Sequence, residues 1–215
     1  MFIKALKHQN PALISATRRL WQQEKIAPDS WVIDVDQVLD NGRRLLAVAE
    51  QYGITLYLMT KQFGRNPWLA EKLLALGYQG IVAVDYKESR VMRRAGLHVA
   101  HQGHLVQIPS SLVETAVAHN TDIITVFSQE KAREISAAAG RLGRFQAALF
   151  KIYADGDTLY PGPARGSPLP ELDAVATQPP ILPRHRPARL TLFPSPPLNA
   201  SRAAPHPTHI CQPLH

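Results

Sequence analysis

The sequence predicts an α/β fold of the (β/α)8, TIM-barrel type, present in incomplete form. Short β-branched apolar runs recur through residues 31–152, and patterns of helical spacing lie between them. The runs start mostly about 24 residues apart, the length of one strand, one helix and two short loops. They occupy residues 31–35, 55–59, 80–84, 97–100, 122–126 and 146–152. Continuous apolar strands are buried on both faces, which calls for parallel pairing beneath covering helices. The regular order favours a barrel over a doubly wound sheet. No G-x-G-x-x-G follows the first run, which weakens a dinucleotide-binding reading.

Taken in order, Asn10-Pro11 starts an amphipathic helix through Leu13, Ile14, Leu20 and Trp21, placed to plug or flank a barrel. After the first run, Val38, Leu39, Leu45, Leu46 and Val48 form one apolar helix face, with Asp36 as the cap. Leu69, Leu73, Leu74 and Leu76 form the next. Val91, Met92 and Ala95 form a third, and Gly96 follows in a C-terminal capping position. Two units resemble each other: Val84-Asp85-Tyr86-Lys87-Glu88-Ser89-Arg90 aligns with Phe127-Ser128-Gln129-Glu130-Lys131-Ala132-Arg133. In each, a strand ends at a polar residue placed to cap the next helix, Asp85 or Ser128. About six such units fall short of the eight that close a barrel, so two strand edges stay unpaired.

The missing units would fall where the composition changes. Of 18 prolines, 14 lie beyond residue 160, and residues 178–215 contain no Asp, Glu, Lys or Gly. Residues 1–177 therefore read as a partial barrel, and 178–215 as a Pro/Arg/His-rich tail for which disorder is the default. Pro170-Glu171-Leu172-Asp173 starts a helix that Pro179-Pro180 cuts off after two turns or so, and a frameshift near residue 177 accounts for this. The body carries 20 basic and 17 acidic residues and the tail four basic and none acidic, so the net +7 says little about nucleic acid. Arg90, Arg93 and Arg94 read as a solvated helix face. No apolar stretch of about 18 residues is present to span a membrane. Residues 1–7 lack the apolar core of a signal peptide, and Cys211 is the single cysteine, which together favour the cytoplasm.

In a barrel of this type the chemistry sits at the C-terminal ends of the strands. Lys61 lies there, after the second run, in Leu58-Met59-Thr60-Lys61-Gln62-Phe63-Gly64-Arg65-Asn66-Pro67. On pattern alone it is a solvated residue marking a strand end. Desolvated by its neighbours, such an amine can act as a Schiff-base nucleophile. His98, His101 and His104 invite a metal reading, but their spacing does not converge them on one face, so no metal is expected. Asp34 and Asp36 share a parity without forming a persuasive carboxylate pair. Lys151 and Tyr153 face the mouth or its rim.

Asp34-Val35-Asp36 with Asn41, followed about 25 residues later by a strand-terminal lysine, resembles the N-terminal barrel of the alanine racemase superfamily, the fold-type III pyridoxal-phosphate (PLP) proteins. Residues 31–37, 56–67, 80–87 and 100–107 resemble its YhfX-like branch more closely, and the likeness runs from residue 1 to about 177. The resemblance implies that Lys61 holds PLP as a Schiff base and moves a proton, with PLP as electron sink for a substrate carbanion. It implies an amino-acid-like substrate, in a racemase, isomerase or decarboxylase chemistry. Arg65 stands where alanine racemase has a tyrosine near the phosphate; a guanidinium binds phosphate or carboxylate, but alanine becomes a doubtful substrate. His101 follows the fourth run as a cofactor-side residue. The family's phosphate-binding glycine loop, pyridine partner, second-base tyrosine and dimer contacts come from later sequence with no match here. The expectation is thus a truncated, impaired PLP-dependent protein, homodimeric in its intact relatives. The alternative is a non-catalytic PLP-binding carrier barrel.

Overall fold

A computed structural model describes residues 2–153, 166–168 and 187–192. The chain forms two compact units, one of residues 1–56 with 75–78 and one of residues 57–74 with 79–215.

The first unit holds helices α1 (Phe2–Gln9), α2 (Pro11–Gln22) and α3 (Val35–Gln51). Asn10 caps α2, its side chain accepting from the Leu13 N–H at 3.0 Å, and its amide donates to Asp34 at 2.6 Å. Asp34 in turn accepts from the Gln37 N–H at 3.0 Å and starts α3. This corrects two expectations. The cap is Asp34 rather than Asp36, and residues 31–34 form no strand, with Trp31 90% exposed. A capping carboxylate inside the run starts a helix before a strand can extend, and the run has no ladder partner among the described residues. The α3 face exists as periodicity but is only partly buried: Val38, Leu39 and Leu46 are half-buried, while Leu45 and Val48 are exposed.

The second unit contains the sheet. Strands β1 (Leu58–Met59), β2 (Ile81–Ala83), β3 (His101–Gln102), β4 (Ile123–Val126) and β5 (Ala147–Tyr153) pair in parallel in that order. Sequential order without reversal is barrel-type winding, since a doubly wound sheet changes direction at a switch point. Helices α4 (Pro67–Leu74), α5 (Tyr86–Arg94), α6 (Val113–Ala118) and α7 (Gln129–Arg141) connect the strands. Asp85 and Ser128 cap α5 and α7 as their spacing predicts, and Gly96 turns left-handed just past α5. Pairing in the fourth run shifts to His101–Gln102, downstream of the predicted 97–100.

Two further strands were not predicted. β6 (Ser167–Pro168) and β7 (Pro187–Leu192) both pair in parallel with β5. The expectation of disorder over 178–215 therefore fails at these six β7 residues. The helix expected from Pro170, the junction near 177, Cys211 and the remainder of the tail lie outside the described residues.

Register sorts the strand residues onto two faces. Ile124, Val126, Ala148 and Phe150 form one core cluster with Ile135, Ala138 and Ala139 of α7 and with α6 residues. Leu58, Ile81, Ala83 and Gln102 continue this helix-covered face and are all buried. The opposite face carries Met59, Val82, His101, Ile123, Leu149 and Lys151, all half-buried. Helices thus finish one side of the sheet, while the side that lines a barrel interior is only partly filled. Between β2 and β3 the approach is tight: a Cβ on Gly80 would lie 2.7 Å from the Ala100 Cβ. Gly80→Ala is expected to cost about 1–3 kcal/mol of unfolding free energy in urea titration; an unchanged midpoint would contradict this packing.

Candidate active site

The residues singled out at strand ends gather at one end of the parallel sheet. β1 runs directly into a 3-10 turn, Thr60–Phe63, that carries Lys61 with its side chain exposed. The turn ends in two left-handed residues, Gly64 (φ 72°) and Arg65 (φ 58°), and the Arg65 N–H donates back to the Thr60 carbonyl at 3.0 Å. Asn66 then accepts from the Leu69 N–H at 3.1 Å and starts α4. The sequence here alternates toward opposite sides: Thr60 is fully buried toward α5, and Lys61 is exposed.

His101 sits in β3 on the open face, its Nε2 hydrogen-bonded at 2.5 Å to Oγ1 of Thr125 in β4. Gly103 (φ 85°) lets the chain turn directly after it. The Gly103 N–H donates to Ala83 at 3.1 Å, and Gln107 accepts from the Phe127 N–H at 2.8 Å. The 103–107 loop is thereby fastened to the ends of β2 and β4. It brings His104 to 5.5 Å from His101, ring to ring and edge-on. Lys151, on the same face of β5, places its ammonium 4.7 Å over the Phe127 ring.

Burial dominates the electrostatics. It pushes His101 down from 6.5 to about 4, with His104 adding repulsion, so His101 is a neutral imidazole at neutral pH. His104 is lowered by burial first and then by the charges of Lys151 and Lys61, which ties all three to one neighbourhood. Lys151 is itself lowered by burial. The arrangement offers an accessible primary amine, a second amine with reduced proton affinity and two imidazoles. This is equipment for holding an anion and moving protons.

Not every candidate converges. His98 pairs with Asp122 at 3.1 Å, apart from the other two histidines. No group of three or more His, Cys, Asp or Glu clusters among the described residues. Arg65 reaches inward, its Nε 3.9 Å from Glu88. Arg93 also departs from the solvated face expected of it, donating to Gln102 at 2.8 Å and Thr121 at 2.5 Å; burial lowers its proton affinity. Tyr153 shares the parity of Lys151 in β5, so both belong to the open face. Glu88 was missed altogether. Its place three residues after Asp85 reads as an ordinary capping-box glutamate, and nothing local signals that its carboxyl turns toward Thr60.

The sequence pattern of the alanine racemase N-terminal domain matches residues 33–159, and the chain belongs to that family. It is 66% identical over 194 residues to protein YhfX of Escherichia coli (strain K12), covering 90% of this chain and 50% of YhfX. The chain thus spans about half the length of the curated relative it matches. Among solved structures it is similar to diaminopimelate decarboxylase from M. jannaschi, with a TM-score of 0.61 at 13% identity over 80% of this chain and 43% of that one. It is also similar to PipY of Synechococcus elongatus PCC7942, determined without PLP, with a TM-score of 0.51 at 20% identity over 74% of each chain. These likenesses establish the fold, an incomplete α/β barrel of the alanine racemase type. No helix among the described residues is long and apolar enough to cross a membrane.

Proposed function

We propose that this chain carries the lysine half of a PLP-dependent amino-acid racemase or isomerase site, with Lys61 as the residue that bonds the cofactor. One observation carries the reading: an exposed amine directly follows a barrel-type strand, with His104 close enough to feel the charges of both Lys61 and Lys151. The donor set suits a cofactor bearing an aldehyde and a phosphate. Lys61 supplies the amine, Lys151 a nearby cation, and neutral His101 a hydrogen-bonding ring fixed by Thr125. Arg65 is half-committed to Glu88, with 44% of its side chain exposed, so it serves the phosphate only from its outer edge. When bound, the cofactor supplies an electron sink for a carbanion at the α-carbon of an amino acid. Lys61 then holds or moves the α-proton, and Lys151, whose proton affinity burial reduces, orients the anionic end of the substrate. A small-molecule amino-acid substrate, a cytoplasmic setting and a dimer in the full-length relative complete the proposal.

The test is proton exchange. Purified protein with PLP in deuterated water is expected to exchange the α-hydrogen of at least one amino acid from a panel of both enantiomers, read by NMR. Cofactor binding without exchange on any member would favour a carrier, a role also compatible with the likeness to PipY.

A further inference from the structure

Glu88 is fully buried, and its carboxyl has three partners from two segments. The Thr60 hydroxyl donates to one oxygen, the Val84 N–H donates to the other at 2.6 Å, and Arg65 Nε approaches at 3.9 Å. Thr60 and Arg65 are the two ends of the turn that carries Lys61, and their backbones are joined at 3.0 Å. Arg65 is left-handed, a strained backbone conformation for an L-residue, and the pairing with Glu88 opposes the tendency of the turn to relax. Helix capping does not explain the carboxyl. Asp85 already caps α5, accepting from the Glu88 N–H at 2.8 Å. In the internally similar unit the aligned residue is Lys131, buried and bonded to Ser110 at 2.8 Å and Glu134 at 2.5 Å. The repeat therefore tolerates either charge at this position, and the carboxyl answers to its Thr60 and Arg65 partners. We propose that Glu88 is the positioning residue of the Lys61 turn, fixing from beneath the sheet end the direction in which the amine is presented. This rests on the reading of Lys61 as the cofactor amine.

Three variants test it beside the wild-type chain: Glu88→Ala, Glu88→Gln and Thr60→Val. Glutamine can accept from Val84 and donate to the Thr60 oxygen, so it is expected to keep the turn. Valine is close in volume to threonine and removes only the hydroxyl bond, so it decides the matter if Glu88→Ala does not fold. Two readouts are used: PLP affinity with the visible circular dichroism of the bound cofactor, and labelling of Lys61 by trinitrobenzenesulfonate in cofactor-free protein, relative to exposed Lys87. Thr60→Val and Glu88→Ala are expected to weaken PLP binding roughly tenfold, reduce the dichroism and change the labelling ratio, while Glu88→Gln stays within about threefold of wild type. Thr60→Val with wild-type affinity, dichroism and labelling ratio would overturn the role of Glu88. A wild-type chain with no Lys61-dependent cofactor signal, but with labelling that responds to Thr60→Val, would instead overturn the cofactor reading and leave Glu88 as the residue that sets the turn.

Discussion

Lys61→Ala is expected to abolish the visible absorbance that PLP acquires on the wild-type protein, together with any α-hydrogen exchange, without unfolding the chain. The expectation is asymmetric because the side chain is exposed. Removing an exposed, unburied lysine changes stability by no more than about 0.5 kcal/mol, whereas removing the amine removes the group proposed to bond the aldehyde covalently. Lys151→Ala is the control. It is expected to lower PLP affinity by weakening attraction for the phosphate or substrate anion, while leaving the visible band in place at saturating cofactor. If Lys151→Ala erased the band and Lys61→Ala kept it, the roles of the two amines would be exchanged.

The second large effect is on acid stability. His101 has a folded-state value of about 4 against an ordinary 6.5. The unfolded chain therefore binds this proton more readily than the native one, and protonation below 6.5 favours unfolding. Stability is expected to be fully present above pH 6.5, to fall as pH drops toward 4 and to level off below. For this one group the loss is about 3 kcal/mol across the window. His104, lowered in the same direction by burial, adds to it. His101→Gln, which keeps a hydrogen-bonding group for Thr125, is expected to flatten the decline. Urea midpoints measured at intervals between pH 7 and 4 supply the check, and equal slopes in the two proteins would contradict burial of a neutral imidazole.

Much of this architecture was legible because its signals are local. Four of the six runs overlap strands and the fourth ends just before one, since β-branched residues bounded by turn signals need little context, and Asp85, Ser128 and Gly96 took the helix-end positions their spacing predicts. The first run failed because Asp34 belongs to two patterns at once, a strand end and a helix cap. Its bonds to Gln37 and Asn10 decided for the cap. β7 escaped for the opposite reason. Pro187-Ala188-Arg189-Leu190-Thr191-Leu192 holds a short alternating run that the surrounding prolines mask, and a proline at the first strand position loses no ladder bond that the strand requires.

The candidate site was half legible. Lys61 and His101 stand out because a strand end followed by a polar loop is where a barrel concentrates chemistry. The clustering of His104 and Lys151 around them is a tertiary fact: 43 residues separate His104 from Lys61 in sequence, and the parallel register of β1 through β5 brings them near. Arg65 shows the limit most clearly. As a residue type it suits a phosphate, but its partner Glu88 lies in α5, and no spacing rule announces that pairing.

Lys61 is the proposed site of covalent PLP attachment. The most direct measurement is borohydride treatment of the protein incubated with PLP, followed by peptide mass spectrometry. A pyridoxyl adduct is expected at near-stoichiometric level on the peptide containing Lys61, with other lysines, Lys151 included, modified only at the background level of exposed amines. An adduct spread evenly over the exposed lysines, or concentrated on Lys151 with Lys61 unmodified, would contradict it.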